Sequence, residues 1–89
     1  MDILPLFPLK LVLLPYEILP LHIFEPRYKK MVKNAIEDKQ PFGIVLKEEA
    51  GVYKRGCRVE ITKVLQNYPN GEYDIIVKGI ERFKVLSTE

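Results

Sequence analysis

The 89-residue sequence has one cysteine and one histidine. Cys57 therefore has no intramolecular disulfide partner, and His22 alone beside it leaves no zinc-ligand spacing. Glycine is scarce, with five residues, and none falls into the GxxxxGK[ST] or GxGxxG spacing of phosphate-binding loops. Charge of one sign is also missing. Fourteen Lys and Arg face twelve Asp and Glu, a net charge of +2 spread over both halves, so neither a basic arm nor an acidic tail exists. Long hydrophobic runs are absent too. Positions from Ile3 to Phe24 are mostly apolar, but Pro5, Pro8, Pro15 and Pro20 interrupt them, and Leu11–Leu14 is the longest unbroken stretch. A spanning helix needs about 20 consecutive, mostly apolar residues. The Met1-Asp2 start lacks the positive charge of a signal peptide. These features predict a cytoplasmic protein without a membrane partner.

What is present describes a small globular domain. Hydrophobic residues make up 47% and charged residues 29%, a balance that suits one core. A chain of this length buries about 60–65% of its unfolded surface, which leaves little stability in reserve.

Five of the seven prolines lie in the first 26 residues. Proline lacks a backbone donor and belongs at strand edges, strand starts or bulges. Residues 4–9 therefore read as short extended pieces. Leu11–Leu14 reads as a short buried strand or extended run. Ile18–Ile23 reads as another, with Pro20 marking a bulge or edge. Glu25 to Lys39 is the one helix: Pro26 suits the first helical position, and Tyr28, Met31, Val32, Ala35 and Ile36 line one face. Glu25 supplies negative charge at the helix start. Strands follow at residues 42–46 and 57–66, with Val59, Ile61 and Leu65 sharing one face. Lys47 to Gly56 is a polar loop. Asn70-Gly71 signals a hairpin turn, since both residues tolerate positive φ. The return strand is Tyr73–Lys78. Gly79-Ile80-Glu81 reads as a turn into a last strand at 82–86, with Phe83 and Val85 opposite Arg82 and Lys84. The expected fold is mainly β with one helix inserted after the third extended segment. Its short antiparallel strands form a barrel-like sheet.

Candidate chemistry is thin. Cys57 and His22 are a conceivable thiol–imidazole pair, but Cys57 reads more simply as a small buried hydrophobe and His22 as a hydrogen-bonded, partly buried side chain. Ser87 and Thr88 sit at the chain end, and Thr62 reads as a surface strand former. The pairs Glu37-Asp38 and Glu48-Glu49 read as solvated carboxylates. No catalytic, cofactor or metal residue is assigned, and no enzyme activity is expected.

Several segments resemble a known family. They are Leu4–Leu9, Leu13-Leu14-Pro15, Leu19–Tyr28 (LPLHIFEPRY), Pro41–Val45, Gly56-Cys57 and Tyr73–Val85 (YDIIVKGIERFKV). In this order they are similar to the Lon N-terminal domain over almost the whole chain. The resemblance implies a PUA-like pseudo-barrel with one helix and a role in recognising protein substrates. In Lon proteases such a domain precedes an ATPase module and a Ser–Lys peptidase. It also occurs in stand-alone bacterial proteins and in substrate receptors of ubiquitin ligases. Two departures stand out. Tyr16 occupies a position where the family usually carries glycine. The sequence also stops at Glu89, where family members continue with further strands and a helical subdomain. Residues 1–89 are thus expected to form a single Lon N-terminal-like domain without ATPase, peptidase or C-terminal helical parts.

The leading expectation is a non-catalytic protein-binding module for unfolded or partner polypeptides. Its contact candidates are Tyr16, Ile18, Arg27, Tyr53 and Tyr68, because loop aromatics offer large area with few torsions to freeze. Unpaired strand edges add possible peptide pairing and self-association. The alternative is a PUA-like RNA-binding module through Tyr53-Lys54-Arg55 and the Lys78, Arg82 and Lys84 set. With so small a net charge, nucleic acid is the less favoured partner.

Overall fold

The structure, a computed structural model, describes residues 4–47 and 55–85. Five strands and one helix follow in the order β1 (Leu6–Leu9), β2 (Ile18–Ile23), α1 (Pro26–Asp38), β3 (Phe42–Leu46), β4 (Arg55–Asn67) and β5 (Tyr73–Lys84). The strands form one sheet in the order β1-β3-β4-β5-β2. The mainly β class with one helix agrees with expectation. Three details differ. The sheet is not closed: β1 and β2 are its two edges. The β1–β3 pair is parallel, so the sheet is mixed. Two strands are long, 13 residues in β4 and 12 in β5.

The extra length of β5 comes from Gly79-Ile80-Glu81, which continues the strand and does not turn. Leu11–Leu14 is the opposite case. It forms no strand, and only Leu13 is buried while Leu11, Val12 and Leu14 stay exposed. The helix therefore follows the second strand, and the second of the three expected extended segments is a loop. In β4, register shifts at Arg58/Val59, Ile61/Lys63 and Val64/Gln66 break the strict alternation. Val59 is buried, Ile61 half-buried and Leu65 half-exposed, so the three do not share one environment. Phe83 and Val85 are half-buried while Arg82 and Lys84 are exposed, as their alternation predicts.

Helix α1 starts at Pro26 and lays Val32 and Ala35 into the core. Glu25 occupies the N-cap, but its carboxylate makes no cap bond and accepts from Arg27 Nε at 3.2 Å. The first turn itself holds no acid. Lys39 ends the helix in the left-handed conformation at φ 52°, before Pro41. The core joins Ile23, Val32, Phe42, Ile44, Cys57, Val59, Ile75 and Val77 between the sheet and the helix. Cys57 is buried as a small hydrophobe, and burial pushes its thiol pKa up. No helix among the described residues is long and apolar enough to cross a membrane. The predicted contact Tyr53, the pair Glu48-Glu49, Lys54 and most of the 47–56 loop lie outside the described residues. Leu86, Ser87 and Thr88 lie outside them too.

Candidate functional site

The outer face of β2 and β5 is built from residues that alternate away from the core. Ile18, Pro20 and His22 point outward, while Leu19, Leu21 and Ile23 turn inward. Across the pair, Ile18 meets Lys78, Pro20 meets Ile76, and His22 meets Asp74. On the outward face, side chains opposite one another are neighbours.

A tight turn presents the first end of this face. Glu17 N–H donates to Leu14 O at 3.1 Å, and Leu14 N–H donates to the Glu17 carboxylate at 2.7 Å. The turn is fastened to β5 by Tyr16 N–H to Gly79 O at 2.8 Å and Gly79 N–H to Glu17 O at 2.9 Å. Tyr16 takes φ 69°, in the left-handed region that favours glycine. A tyrosine held there is strained, and it stands 76% exposed. Its ring lies 5.8 Å from Lys78 Nζ, a cation–π approach. Ile18 beside it is 66% exposed.

The second end is a polar clamp with aromatic walls. His22 Nδ1 lies 2.6 Å from Asp74 Oδ1, and Nε2 lies 2.9 Å from Glu72 Oε1. The Tyr68 hydroxyl donates to the other Asp74 oxygen, and the Asn70 amide donates to Glu72. Phe24 stacks on the His22 ring at 6.0 Å, and Tyr68 meets it edge-on at 5.9 Å. The hydrogen bond to Asp74, with Glu72 adding to it, raises the His22 pKa above its ordinary 6.5, against a smaller desolvation effect. The Tyr68 and His22 hydrogen bonds hold Asp74 below the ordinary carboxylate value, and the same Asp74 bond raises the Tyr68 phenol. Both imidazole nitrogens thus face carboxylates, which suits an imidazolium donating twice. The hairpin turn is held independently: Gly71 takes φ 88°, its N–H donates to Tyr68 O, and Lys29 Nζ donates to Asn70 O at 3.0 Å.

Three of the predicted contact residues, Tyr16, Ile18 and Tyr68, therefore fall along one exposed stripe. Arg27 stands apart. It is near the helix start, bonded to Glu25 and 4.8 Å over the Tyr28 ring. Sequence reading passed over Phe24, which is 58% exposed, because it counted as part of the N-terminal apolar stretch. Its position just after the alternating β2 pattern was the available signal. It also missed His22 as a clamp, because its carboxylate partners lie more than forty residues away. Cys57 and His22 do not meet: one is inside the core and the other on the outer face. No group of three or more His, Cys, Asp or Glu that could hold a metal occurs among the described residues.

Of the predicted basic set, the described residues bring Arg55 opposite Lys84, but acids stand beside others. Lys78 sits opposite Glu60 in the register, and Arg58 Nη1 bonds Glu81 at 3.2 Å.

An open mixed sheet packed on one helix, with an exposed apolar and aromatic stripe along an edge strand, describes a binding domain of small β type. Its family is established by comparison. Residues 3–89 match the family model of the ATP-dependent protease La (LON) substrate-binding domain, and the chain belongs to that family. It is 31% identical to a Lon protease of Parabacteroides distasonis and 30% identical to one of Anaeromyxobacter dehalogenans, in each case over 94% of this chain. It spans 11% of the length of each of these relatives. A Lon N-terminal domain protein from Xanthomonas campestris has the same fold, with a TM-score of 0.83 and 31% identity. That match covers 97% of this chain and 50% of the other. The N-terminal domain of a Mycobacterium avium complex Lon protease shares the fold at a TM-score of 0.71 and 16% identity, over 94% of this chain and 45% of that one.

Proposed function

We propose that this domain is a non-catalytic module that recognises polypeptide substrates or partners in unfolded, extended form. The observation that carries the reading is the exposed stripe from Tyr16 and Ile18 through Pro20 to Phe24 and Tyr68. Exposed large apolar side chains arranged contiguously mark interaction surfaces, whereas isolated ones do not. Membership of a substrate-binding domain family supports the same reading. The strained φ of Tyr16 adds to it, because a side chain kept at a glycine-like position needs another reason to be there. Arg27 remains a proposed contact outside this stripe, and Tyr53, which lies outside the described residues, remains a proposed contact as well.

The test is a fluorescence anisotropy titration against a labelled unfolded polypeptide, with a folded protein and an RNA as controls. Tyr16→Gly removes the ring while suiting the backbone, so the variant keeps its fold. A central aromatic contact is worth about 1–2 kcal/mol or more, so affinity is expected to fall about 5- to 30-fold. Saturable binding confined to RNA, with strong salt dependence, would overturn the proposal.

A further inference from the structure

The two edges of the sheet face one another across a cleft of about 230 Å³. Phe7, Pro8 and Leu9 of β1 form one wall, and Leu21, His22 and Ile23 of β2 form the other. Tyr28 lies behind, with Arg27 and Lys47 also lining the cleft. The hydrogen-bond phase of each edge follows from its pairing. In β1, Gly43 N–H donates to Pro5 O and Lys47 N–H to Leu9 O, so Pro5, Phe7 and Leu9 bond to β3. Leu6 and Pro8 then direct their backbone groups away from β3. In β2, Gly79 N–H donates to Glu17 O, so Leu19, Leu21 and Ile23 exchange bonds with β5. Ile18, Pro20 and His22 direct theirs to the open side.

Both edge prolines, Pro8 and Pro20, therefore stand where their missing N–H would face the open side. These edges expose five carbonyls, of Leu6, Pro8, Ile18, Pro20 and His22, but three N–H donors, of Leu6, Ile18 and His22. Donor-poor edges of this kind pair badly with each other, which fits a sheet left open between them. An extended polypeptide brings the donors they lack.

We propose that the cleft between β1 and β2 takes one extended polypeptide segment as an added strand, read through its main chain. This rests on the polypeptide-binding reading above and specifies its mode. Along β2 the outward side chains of the guest would lie beside Ile18, Pro20 and His22, continuous with the exposed stripe. Its inward side chains would enter the apolar cleft against Phe7, Leu9 and Leu21. The selectivity that follows is for stretches with an alternating apolar pattern and no proline, and not for a fixed sequence.

The experiment uses a labelled peptide of alternating valine and threonine with lysine at each end. Two versions of the same sequence carry N-methyl groups, one on the valine amides and one on the threonine amides. A strand held between two edges turns one set of alternate amides to β1 and the other to β2, so each methylated version should bind at least about tenfold more weakly than the unmodified peptide. Amide exchange on the isotope-labelled domain should slow at Leu6, Ile18 and His22 when the unmodified peptide is added, with Leu19 and Leu21 already slow beforehand. Affinity of either methylated version equal to that of the unmodified peptide, or unchanged exchange at those three amides, would overturn strand addition between the two edges while leaving polypeptide recognition standing. No binding of the unmodified peptide or of an unfolded chain would overturn both. Slow exchange at the same amides without peptide, together with a dimer in sedimentation, would place a second copy in the cleft and overturn the proposal as well.

Discussion

Replacing Gly79 by alanine would drive a methyl group into the main chain of the neighbouring turn. A Cβ built there lies 2.5 Å from Leu14 O, 3.3 Å from Leu14 C and 3.0 Å from Cys57 Sγ. The nearest atom is backbone, so no rotamer change relieves the clash. The Leu14–Glu17 turn has to move off β5. Two main-chain bonds are then at risk, Tyr16 N–H to Gly79 O and Gly79 N–H to Glu17 O. Each is worth about 0.5–1.5 kcal/mol, and overpacking of this kind costs about 1–3 kcal/mol. Together the expected loss is about 2–6 kcal/mol, a large share of the stability of a domain this small. Urea unfolding followed by circular dichroism checks it, with the midpoint falling and the slope unchanged. Because the same turn carries Tyr16 and leads into Ile18, polypeptide affinity should fall even at temperatures where the variant remains folded. A stability change under about 0.5 kcal/mol would refute the reasoning. It would mean that the turn is not pinned to Gly79.

Ile75→Ala removes a side chain that is 0% exposed near the start of β5, and should cost about 2–5 kcal/mol in the same denaturation assay. Tyr16→Gly should leave stability unchanged or raise it by about 1 kcal/mol, since glycine suits φ 69°; a clear loss would show that the ring packs on the fold. The His22 clamp gives a pH dependence of definite sign. Its pKa is raised above 6.5 in the folded state, so its contribution is complete below that value and is lost as pH rises through the folded one. Asp74 is shifted down from 3.8, so its contribution is present above that value and is lost as pH falls through the lower folded one. Melting temperature should therefore decline as pH rises above 6.5 in the wild type, and the decline should be weaker in His22→Gln. Identical slopes would remove the clamp from the account.

The elements that local pattern could specify were legible. Helix α1 agrees with the sequence reading to within one residue at each end, because Pro26 fixes its start and the Tyr28–Ile36 spacing fixes its face. Strand β3 agrees as well, since a short apolar run between Pro41 and a charged stretch has few alternatives. Gly79 was misread for a physical reason. A glycine inside a strand pattern signals either a turn or a close backbone approach, and only the fold reveals that Leu14 O lies against it. Leu11–Leu14 failed in the reverse direction. Its apolar run promises burial, but its neighbours bind the following turn to β5 and leave Leu11, Val12 and Leu14 outside. The register shifts in β4 are tertiary as well, and they decoupled Leu65 from the parity of Val59.

The same distinction applies to the proposed site. Tyr16, Ile18 and Tyr68 could be picked out singly, as aromatics or apolar residues near Pro and Gly. That they belong to one stripe depends on the β2–β5 register, which sets Ile18 against Lys78 and His22 against Asp74. The departure at Tyr16 then acquires a physical meaning. Left-handed backbone at that position is demanded by the turn, whose two main-chain bonds to Gly79 fix its geometry. Glycine would meet that demand without strain, and tyrosine meets it with strain and places an exposed ring over Lys78. A residue that lowers stability at a position where a neutral choice exists is best explained by what its side chain does outside the fold. Pro20 follows the same logic on the backbone side. It keeps β2 extended and removes one outward donor, while its outward face stays apolar beside Ile18. The edge is thus shielded from closing the sheet on β1 yet open to a chain that supplies its own N–H groups. In the proposed mode of binding, resistance to edge-to-edge pairing and polypeptide capture are two consequences of one arrangement of proline and apolar residues along an edge strand.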